Sequence, residues 1–226
     1  MSNIGFKIIT EIQRPDRKLV EKFRGIPVAN IDDNMNRIFA MDGNIKPYGR
    51  PSLCGTAFTV VAPSGDNLMM HKAIDMAQPG DVLVIVGIGK ADRSFCGEIM
   101  MQMSKSKGIE GFVIDGCIRD AEGTARLDFP VYATGVQPNG PYKNGPGMIN
   151  VPVACGHQVV RPGDVIVGDA DGVICIPVEY AEEVLEKGAA QLAAEEKKIA
   201  NIIENNIWPS REWIDKTLEA KKCDIF

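Results

Sequence analysis

The chain has 226 residues, of which 45% are hydrophobic, and a formal net charge of −5 at pH 7. This length and apolar content can bury a substantial core, so one domain over residues 1–226 is expected. Interspersed acidic and basic residues argue against nucleic acid as a partner, because phosphate binding needs a basic surface. The sequence has neither a segment apolar enough to cross a bilayer nor a signal-peptide pattern, so a soluble cytoplasmic protein without a membrane partner is expected.

The first half of the chain alternates helix and strand signals. Residues 17–39 resemble two short helices broken near Gly25-Ile26-Pro27, and residues 54–62 a strand. A helix capped by Asp66 is predicted over residues 66–76, and an apolar strand over 81–86. The next helix begins near Glu98 and stops at Gly108, before a short β-branched strand over 111–114. This order predicts an α/β fold with a parallel core.

The most informative feature is an acidic residue, Glu98, followed after twenty positions by Arg119 and Asp120. Helix, turn and strand between them would return the Arg-Asp pair close to Glu98, at the strand end where open α/β sheets bind ligands. Two carboxylates and a guanidinium in one pocket suit a divalent cation and an anionic substrate. The alternative is a solvated Arg-Asp pair and a Glu98 that only favours its helix terminus.

The start of the Glu98 helix is a second candidate binding element. Backbone N–H groups from Glu98 to Met100 are expected to be free, and such donors attract carboxylates or phosphates.

The second half of the chain has a different pattern. Turn residues predict a structured loop over 138–147, followed by strands over 151–160, 164–168 and 172–176. The turn between the last two, Asp169-Ala170-Asp171-Gly172, resembles a carboxylate metal cluster, but a hairpin is favoured. A long helix over residues 178–205, then Pro209 and a short helix to about Lys221, complete the chain.

The long C-terminal helix has an apolar stripe with a spacing near seven residues, formed by Leu185, Leu192, Ile199 and Ile203. Glu196 lies beside this stripe, whereas Glu195 is expected to point further away. A carboxylate at a packing seam needs a partner. An exposed Glu196 paired with a lysine remains an equal alternative.

Histidine and cysteine patterns give no further site. His71 and His157 are the two histidines, and both are expected to have core or surface roles because no triad or ligand set surrounds them. The six cysteines lack CxxC spacing and are predicted to be reduced core thiols, including Cys96 and Cys117 beside the proposed pocket. Gly87-Ile88-Gly89 does not continue as GxGxxG, so a nucleotide or S-adenosylmethionine loop is poorly supported.

Several segments together resemble the RraA-like family, which includes the 4-hydroxy-4-methyl-2-oxoglutarate and 4-carboxy-4-hydroxy-2-oxoadipate aldolases. The resemblance covers about residues 25–205, leaving residues 206–226 as a C-terminal helical extension. The Glu98-x20-Arg119-Asp120 spacing is its most specific part for catalysis. The other matching segments are Gly55 to Val60, Gly65 to Leu68, Asp115 to Asp120, Phe129 to Tyr132, Asn150 to Val153 and Arg161 to Val173.

The resemblance implies a swivelling β/β/α sandwich, similar to phosphohistidine domains, that assembles as a trimer or hexamer. It implies a class II pyruvate aldolase that cleaves a 4-hydroxy-2-oxo acid with Mg²⁺ or Mn²⁺ and also decarboxylates oxaloacetate. A glutamate from a neighbouring subunit's C-terminal helix completes the site in these aldolases, and Glu196 best matches it. Other family members regulate ribonuclease E without catalysis, so a protein-binding regulator is the alternative.

The expected roles in the aldolase are specific. Asp120 is the metal ligand, and Arg119 binds substrate and stabilises the enolate oxygen that develops. Glu98 is expected to position or deprotonate a metal-bound water that acts as the acid/base relay. The substrate's carboxylate is expected at the segment from Gly97 to Met100, with N–H groups of Ile99 and Met100 as donors. No lysine stands in a Schiff-base context, so the imine route is disfavoured.

Overall fold

The computed structural model describes residues 3–208 and 210–224. Its strands, in chain order, are β1 (Phe6–Ile8), β2 (Lys46–Pro47), β3 (Leu53–Pro63), β4 (Asp81–Ile88), β5 (Gly111–Ile118), β6 (Val131–Val136), β7 (Gly147–Ile149), β8 (Val153–Cys155), β9 (Gln158–Val160), β10 (Val165–Gly168) and β11 (Val173–Ile176). Its α-helices are α1 (Arg17–Glu21), α2 (Val28–Asp33), α3 (Leu68–Met76), α4 (Glu98–Ser106), α5 (Ala121–Arg126), α6 (Ala181–Asn205) and α7 (Trp213–Ala220), with a 3₁₀ turn at Val178–Tyr180.

Four parallel strands form the centre of the large sheet. β3 pairs with β4, β4 with β5 and β5 with β6, all in parallel. The strand order is β1-β7-β3-β4-β5-β6-β2, and β10 pairs antiparallel with β3 and with β11. The carboxyl ends of β3, β4 and β5 therefore lie along one edge of the sheet, followed by the segments that carry Asn67, Gly97 and Arg119.

The sheet is buried on both faces, which explains the continuous apolar run of β4. Leu83 and Ile85 point to a core with the helices α3 and α4, while Val82, Val84 and Val86 point to the opposite core. Strand residues alternate between faces, so a strand covered on both sides is apolar at successive positions.

Three hydrophobic clusters fill the fold. Helices α3 and α4 cover one face of the sheet, and the β8–β9 hairpin packs on the other. A third cluster joins α1, α2 and the first turn of α6 to β10 and β11. The structure is thus a mixed α/β fold with a large sheet and C-terminal helices. The closer likeness to phosphohistidine domains stays a prediction.

Most of the predicted elements are confirmed, but several differ in their bounds or form: β5 runs on to Ile118, and the long C-terminal helix begins at Ala181, after the 3₁₀ turn. The segment predicted as one strand over 151–160 is the hairpin β8–β9, because Gly156 and His157 both take positive φ and reverse the chain. The helix predicted from Asp66 begins at Leu68, and Asn67 is its N-cap residue. Asp66 still accepts a hydrogen bond from the Leu68 N–H at 3.0 Å. The hairpin at residues 169–172 is confirmed: the Asp169 N–H donates to the Gly172 carbonyl at 3.0 Å.

The chain divides into two compact units, of which the first ends at Gly188 and the second begins at Ala189. The second unit holds the remainder of α6, together with α7. In it Ile199 and Ile203, from the predicted apolar stripe, are exposed. The prediction of one domain with a core to about residue 205 stays a prediction, and the predicted break at Pro209 lies outside the described residues. Over residues 3–208 and 210–224, every helix is too short or too polar to traverse a lipid bilayer.

Candidate active site

A short extension of the parallel sheet brings the two parts of the motif together. Ser94 forms a parallel bridge with Cys117, just before α4. The Phe95 N–H donates to the Cys117 carbonyl at 2.8 Å, and the Arg119 N–H donates to the Cys96 carbonyl at 2.9 Å. The residues immediately before α4 are therefore held beside those that follow β5. The prediction that the chain returns Arg119 and Asp120 close to Glu98 is confirmed.

Asp120 has a strained backbone and an unusual side-chain contact. Its φ of 59° and ψ of 45° lie in the left-handed region, and it makes no side-chain cap for α5, the helix that follows it. Instead its Oδ2 atom accepts a hydrogen bond from the Glu98 N–H at 3.0 Å. The Arg119 Nε atom lies 3.7 Å from the same oxygen. Asp adopts this conformation more readily than most residues, and such strain is concentrated at functional sites.

Gly97 permits this close approach. A Cβ atom at Gly97 would overlap the Asp120 Oδ2 atom and lie 3.1 Å from both Cγ and Nε of Arg119. The backbone of Gly97 is extended, with φ −139° and ψ −170°, so its conformation alone does not demand glycine. The lack of a side chain at Gly97 is what lets Asp120 contact the start of α4.

The N–H groups at the start of α4 are less available than the sequence suggests. The Glu98 N–H donates to Asp120, and the Met100 N–H donates to the Gly97 carbonyl at 3.1 Å. The prediction of free donors is therefore wrong for these two groups. The Ile99 N–H has no hydrogen-bond partner among the residues that the structure describes. The physical reason is that Asp120 caps this helix from outside, which sequence spacing does not reveal.

The Glu98 side chain lies against the first turn of α5. A Cβ atom at Gly123 would overlap its Oε2 atom and lie 2.8 Å from its Cδ atom. Glu98 also lies in the first turn of its own helix, α4. Both helix termini favour a negative charge there. This contact fits a Glu98 that only stabilises a helix terminus by its charge, and it fits a role in proton transfer equally well.

A cavity of about 300 Å³ opens at this edge of the sheet. Its volume is at the lower end of the range for small-molecule sites. Of the predicted site residues, those that line it are Gly97, Ile99, Met100, Arg119 and Asp120. Glu98 is in the same cluster of segments but is not one of the lining residues.

Three polar residues that line the cavity were not predicted as site residues: Asn67, His71 and Lys143. Asn67 and His71 lie at the start of α3, just beyond the carboxyl end of β3. The parallel-strand rule could have identified this position, because β3 and β5 end at the same edge. The pKa of His71 is lowered, mainly by burial and also by the charge of Lys143, with Asp75 opposing. A neutral imidazole is therefore expected at neutral pH. The other histidine, His157, is exposed and lies 3.1 Å from an Asp42 oxygen.

The loop that carries Lys143 is held by a buried carboxylate. Asp66 is 5% exposed, and its Oδ2 atom accepts hydrogen bonds from the Asn144 N–H at 2.7 Å and the Gly145 N–H at 3.0 Å. The Asn67 N–H donates to the Tyr142 carbonyl at 3.0 Å. These bonds fix the backbone around Lys143 at the cavity wall. With Arg119, Lys143 gives the cavity two positive charges.

The cysteines beside the site are inert by their surroundings. Cys96 and Cys117 are buried, as predicted, but Cys223 is exposed, so the prediction of six core thiols is wrong for that residue. Burial raises the pKa of both thiols, and the charge of Asp120 raises that of Cys96 further. A thiol with a raised pKa is a poor nucleophile at neutral pH.

Glu195 and Glu196 of α6 belong to the second compact unit. The Gln191 Nε2–H donates to an oxygen of Glu195 at 2.9 Å. Glu195 is partly buried and Glu196 is exposed. The placement of Glu196 beside the apolar stripe stays a prediction. The role of Glu196 in a neighbouring subunit's site stays a prediction.

Asp120 is the residue in the cavity best suited to hold a cation. Over residues 3–208 and 210–224, no three His, Cys, Asp or Glu side chains are grouped to bind a metal ion together. Mg²⁺ needs only one or two carboxylates, because it keeps several waters. Asp120 is 44% exposed and borders the cavity, which leaves room for those waters. Its oxygen donors therefore fit Mg²⁺ or Mn²⁺.

The sequence and the fold match a known family of proteins. A family model described as Aldolase/RraA matches residues 28–175, and the chain belongs to this RraA-like family. A protein of Halalkalibacterium halodurans named "Putative 4-hydroxy-4-methyl-2-oxoglutarate aldolase" is 40% identical over 200 residues, which cover 88% of this chain and 95% of that protein.

Solved structures similar to this one include an uncharacterised protein and a member of a family of ribonuclease inhibitors. An uncharacterised protein of Pseudomonas syringae pv. tomato has a TM-score of 0.77 at 25% identity, covering 86% of this chain and 92% of its own. Streptomyces coelicolor RraAS2 is described as an unusual member of the RNase ES inhibitor RraA protein family. It has a TM-score of 0.73 at 28% identity, covering 82% of this chain and 98% of its own.

Proposed function

We propose that this protein is a metal-dependent aldolase that cleaves a 4-hydroxy-2-oxo acid to pyruvate and a second carbonyl product. The observation that carries the proposal is the contact of Asp120 with the start of α4, beside Arg119, at the wall of one small cavity. The Asp120 carboxylate, the Arg119 guanidinium and the N-terminus of α4 lie together there, beside a cavity of a volume suited to a small anion. The name of the Halalkalibacterium halodurans relative supports the same reaction class.

The charges of the cavity fit a dicarboxylic substrate. Arg119 and Lys143 both line it, and each can pair with an anionic group. The N–H of Ile99 is the remaining backbone donor for a carboxylate at the start of α4. We assign the pyruvyl carboxylate to this end, against the segment from Gly97 to Met100. The second carboxylate then lies toward Lys143.

Bond cleavage needs both charge stabilisation and proton transfer. The 4-hydroxyl loses its proton, C4 becomes a carbonyl carbon, and the electron pair of the C3–C4 bond passes to the pyruvyl fragment. The Arg119 guanidinium stabilises the negative charge that develops on the 2-oxo oxygen. Glu98 accepts the hydroxyl proton through a water and returns it through a water to C3 before pyruvate leaves.

Asp120 would hold Mg²⁺ or Mn²⁺ in this scheme. A bound divalent cation supplies Lewis-acid polarisation of the 2-oxo group. Oxaloacetate decarboxylation is proposed as a side activity, because loss of CO₂ leaves the same charge on the pyruvyl fragment. Arg119 would stabilise that charge in the same way.

The assembly and location complete the proposal. We propose a homotrimer or homohexamer in the cytoplasm, in which Glu196 from a neighbouring subunit completes each site, and a swivelling β/β/α architecture. A closed ring with heterologous contacts would allow such sharing.

The second candidate is a non-catalytic, protein-binding regulator of ribonuclease E. Its support is the likeness to the Streptomyces coelicolor protein. Oxaloacetate incubated with the purified protein and Mg²⁺ separates the two candidates. The aldolase proposal expects pyruvate release above the metal-only rate, with loss of that release in Arg119→Ala. Pyruvate at the metal-only rate, together with inhibition of ribonuclease E, would favour the regulator.

A further inference from the structure

One buried side-chain acceptor at the cavity lacks a partner. Asn67 is 2% exposed, and its Oδ1 atom has no hydrogen-bond partner among the residues that the structure describes. Its Nδ2 group donates to the Phe95 carbonyl at 2.9 Å and lies 3.5 Å from the Met100 sulfur. The bond to Phe95 identifies Oδ1, because a flipped amide would bring two acceptors together. Buried polar atoms are normally paired, so an orphaned acceptor requires an explanation.

Position distinguishes this acceptor from the others. In the described part of the chain, Ser64 Oγ and Asn150 Oδ1 are also buried without partners. Neither residue lines the cavity beside Arg119, whereas Asn67 does. The unpaired atom thus belongs to a residue in the wall of the proposed substrate site. Asn67 precedes α3, whereas Gly97 precedes α4 and Asp120 precedes α5.

The chemistry of the cavity identifies the missing donor. The charged groups Arg119 and Lys143 offer hydrogen-bond donors to anionic oxygens. An amide oxygen instead needs a group that donates to it. A 4-hydroxy-2-oxo acid at neutral pH has ionised carboxylates and a carbonyl, which only accept. Its 4-hydroxyl is the single donor it can offer.

We propose that Asn67 Oδ1 accepts a hydrogen bond from the 4-hydroxyl of the substrate and so selects hydroxylated 2-oxo acids over those without this group. This inference rests on the proposed aldolase function. An amide oxygen does not take up the proton at neutral pH, so Asn67 orients the hydroxyl in the bound substrate before the reaction. The hydroxyl then turns its one hydrogen from Asn67 to the water beside Glu98, which receives the proton. A site built to pair a substrate hydroxyl discriminates strongly against an analogue that lacks it, because the site's own polar atom is then left unpaired.

The test compares two substrates on each variant. Oxaloacetate lacks the 4-hydroxyl, and 4-hydroxy-4-methyl-2-oxoglutarate carries it, so the ratio of their kcat/KM values isolates the contact. Asn67→Ala should lower the ratio of hydroxylated substrate to oxaloacetate by about tenfold or more. Asn67→Asp retains an acceptor at the position, so its ratio should stay near the wild-type value even if both rates fall.

Asn150→Ala is the matched control. Asn150 is also a buried asparagine with an unpaired Oδ1, and its Nδ2 donates to the Ile9 carbonyl at 2.9 Å. Its substitution should alter the melting temperature and leave the substrate ratio unchanged. Equal losses on both substrates in Asn67→Ala would overturn the inference and leave Asn67 a structural role. A wild-type protein that releases pyruvate from neither substrate would instead refute the proposed function itself.

Discussion

Gly97→Ala is expected to separate activity from stability. The added Cβ would overlap the Asp120 Oδ2 atom and crowd Arg119, while the extended backbone of Gly97 accepts alanine without strain. Asp120 must therefore move away by on the order of 1 Å, a displacement that costs about 10²-fold in rate at a catalytic site. The expected result is a fall of about 10²-fold in kcat/KM in an otherwise folded protein.

The stability change should be small because two effects oppose each other. Displacing Asp120 weakens its charge-assisted bond to the Glu98 N–H, for which about 1.5–3 kcal/mol is an upper range given that Asp120 is 44% exposed. Alanine restricts the unfolded chain and returns about 0.4–1 kcal/mol. The net loss is on the order of 1 kcal/mol, which corresponds to about 2–4 °C in Tm for a chain of this size.

Coupled detection of pyruvate and a thermal melt measure the two quantities. Gly43→Ala is the control, since a Cβ at Gly43 meets no described atom within 4 Å and its φ is outside the left-handed region. It should keep wild-type activity and Tm. A Gly97→Ala protein with near wild-type kcat/KM would refute the reasoning, since the contact between Gly97 and Asp120 would then have no catalytic importance.

Three further predictions concern other residues. Arg119→Lys keeps the charge but loses the planar guanidinium, so kcat should fall by about 10²-fold. Excess Mn²⁺ should not restore that activity. If Mn²⁺ rescued Arg119→Lys but not Asp120→Asn, the roles assigned to the two residues would be reversed. If Glu196 acts in a neighbouring subunit, the Glu196→Ala and Asp120→Ala proteins should each be nearly inactive. Co-refolding the two variants should then recover part of the activity. A fully active Glu196→Ala protein, or a monomer by light scattering, would contradict this. Cys223 is the exposed cysteine, whereas burial raises the pKa of Cys54 to about 12 and raises those of the other four buried thiols. A disulfide reagent at pH 7 should therefore modify one thiol quickly and the remaining five only after unfolding; two fast thiols in the native protein would show that a core cysteine is accessible.

The local pattern of the chain predicted much of the fold. Continuous apolar runs such as β4 have few alternatives to a strand covered on both faces, and the Gly108 stop at φ +78° matches the end of α4. The helix and strand between Glu98 and Arg119 then fix the distance over which the chain returns. The hairpin β8–β9 was missed because its two-residue turn uses His157, which at positive φ is atypical of such turns.

The contacts that complete the site could not be read from sequence spacing. Asp120 bonds the start of a different helix, which depends on the exact placement of β5 beside the segment before α4. Lys143 reaches the cavity because Asp66, over seventy residues earlier, holds the loop backbone. Such pairings join distant parts of the chain through main-chain donors, which carry no residue-specific signal.

Pyruvate release from 4-hydroxy-4-methyl-2-oxoglutarate, measured in parallel for wild type and Asp120→Ala, tests the central claim most directly. The aldolase account predicts turnover by wild type with Mg²⁺ or Mn²⁺, its loss in EDTA, its recovery when metal is returned, and no turnover by Asp120→Ala under any of these conditions. Full turnover in chelator, an equally active Asp120→Ala protein, or borohydride trapping of substrate on a lysine would contradict it.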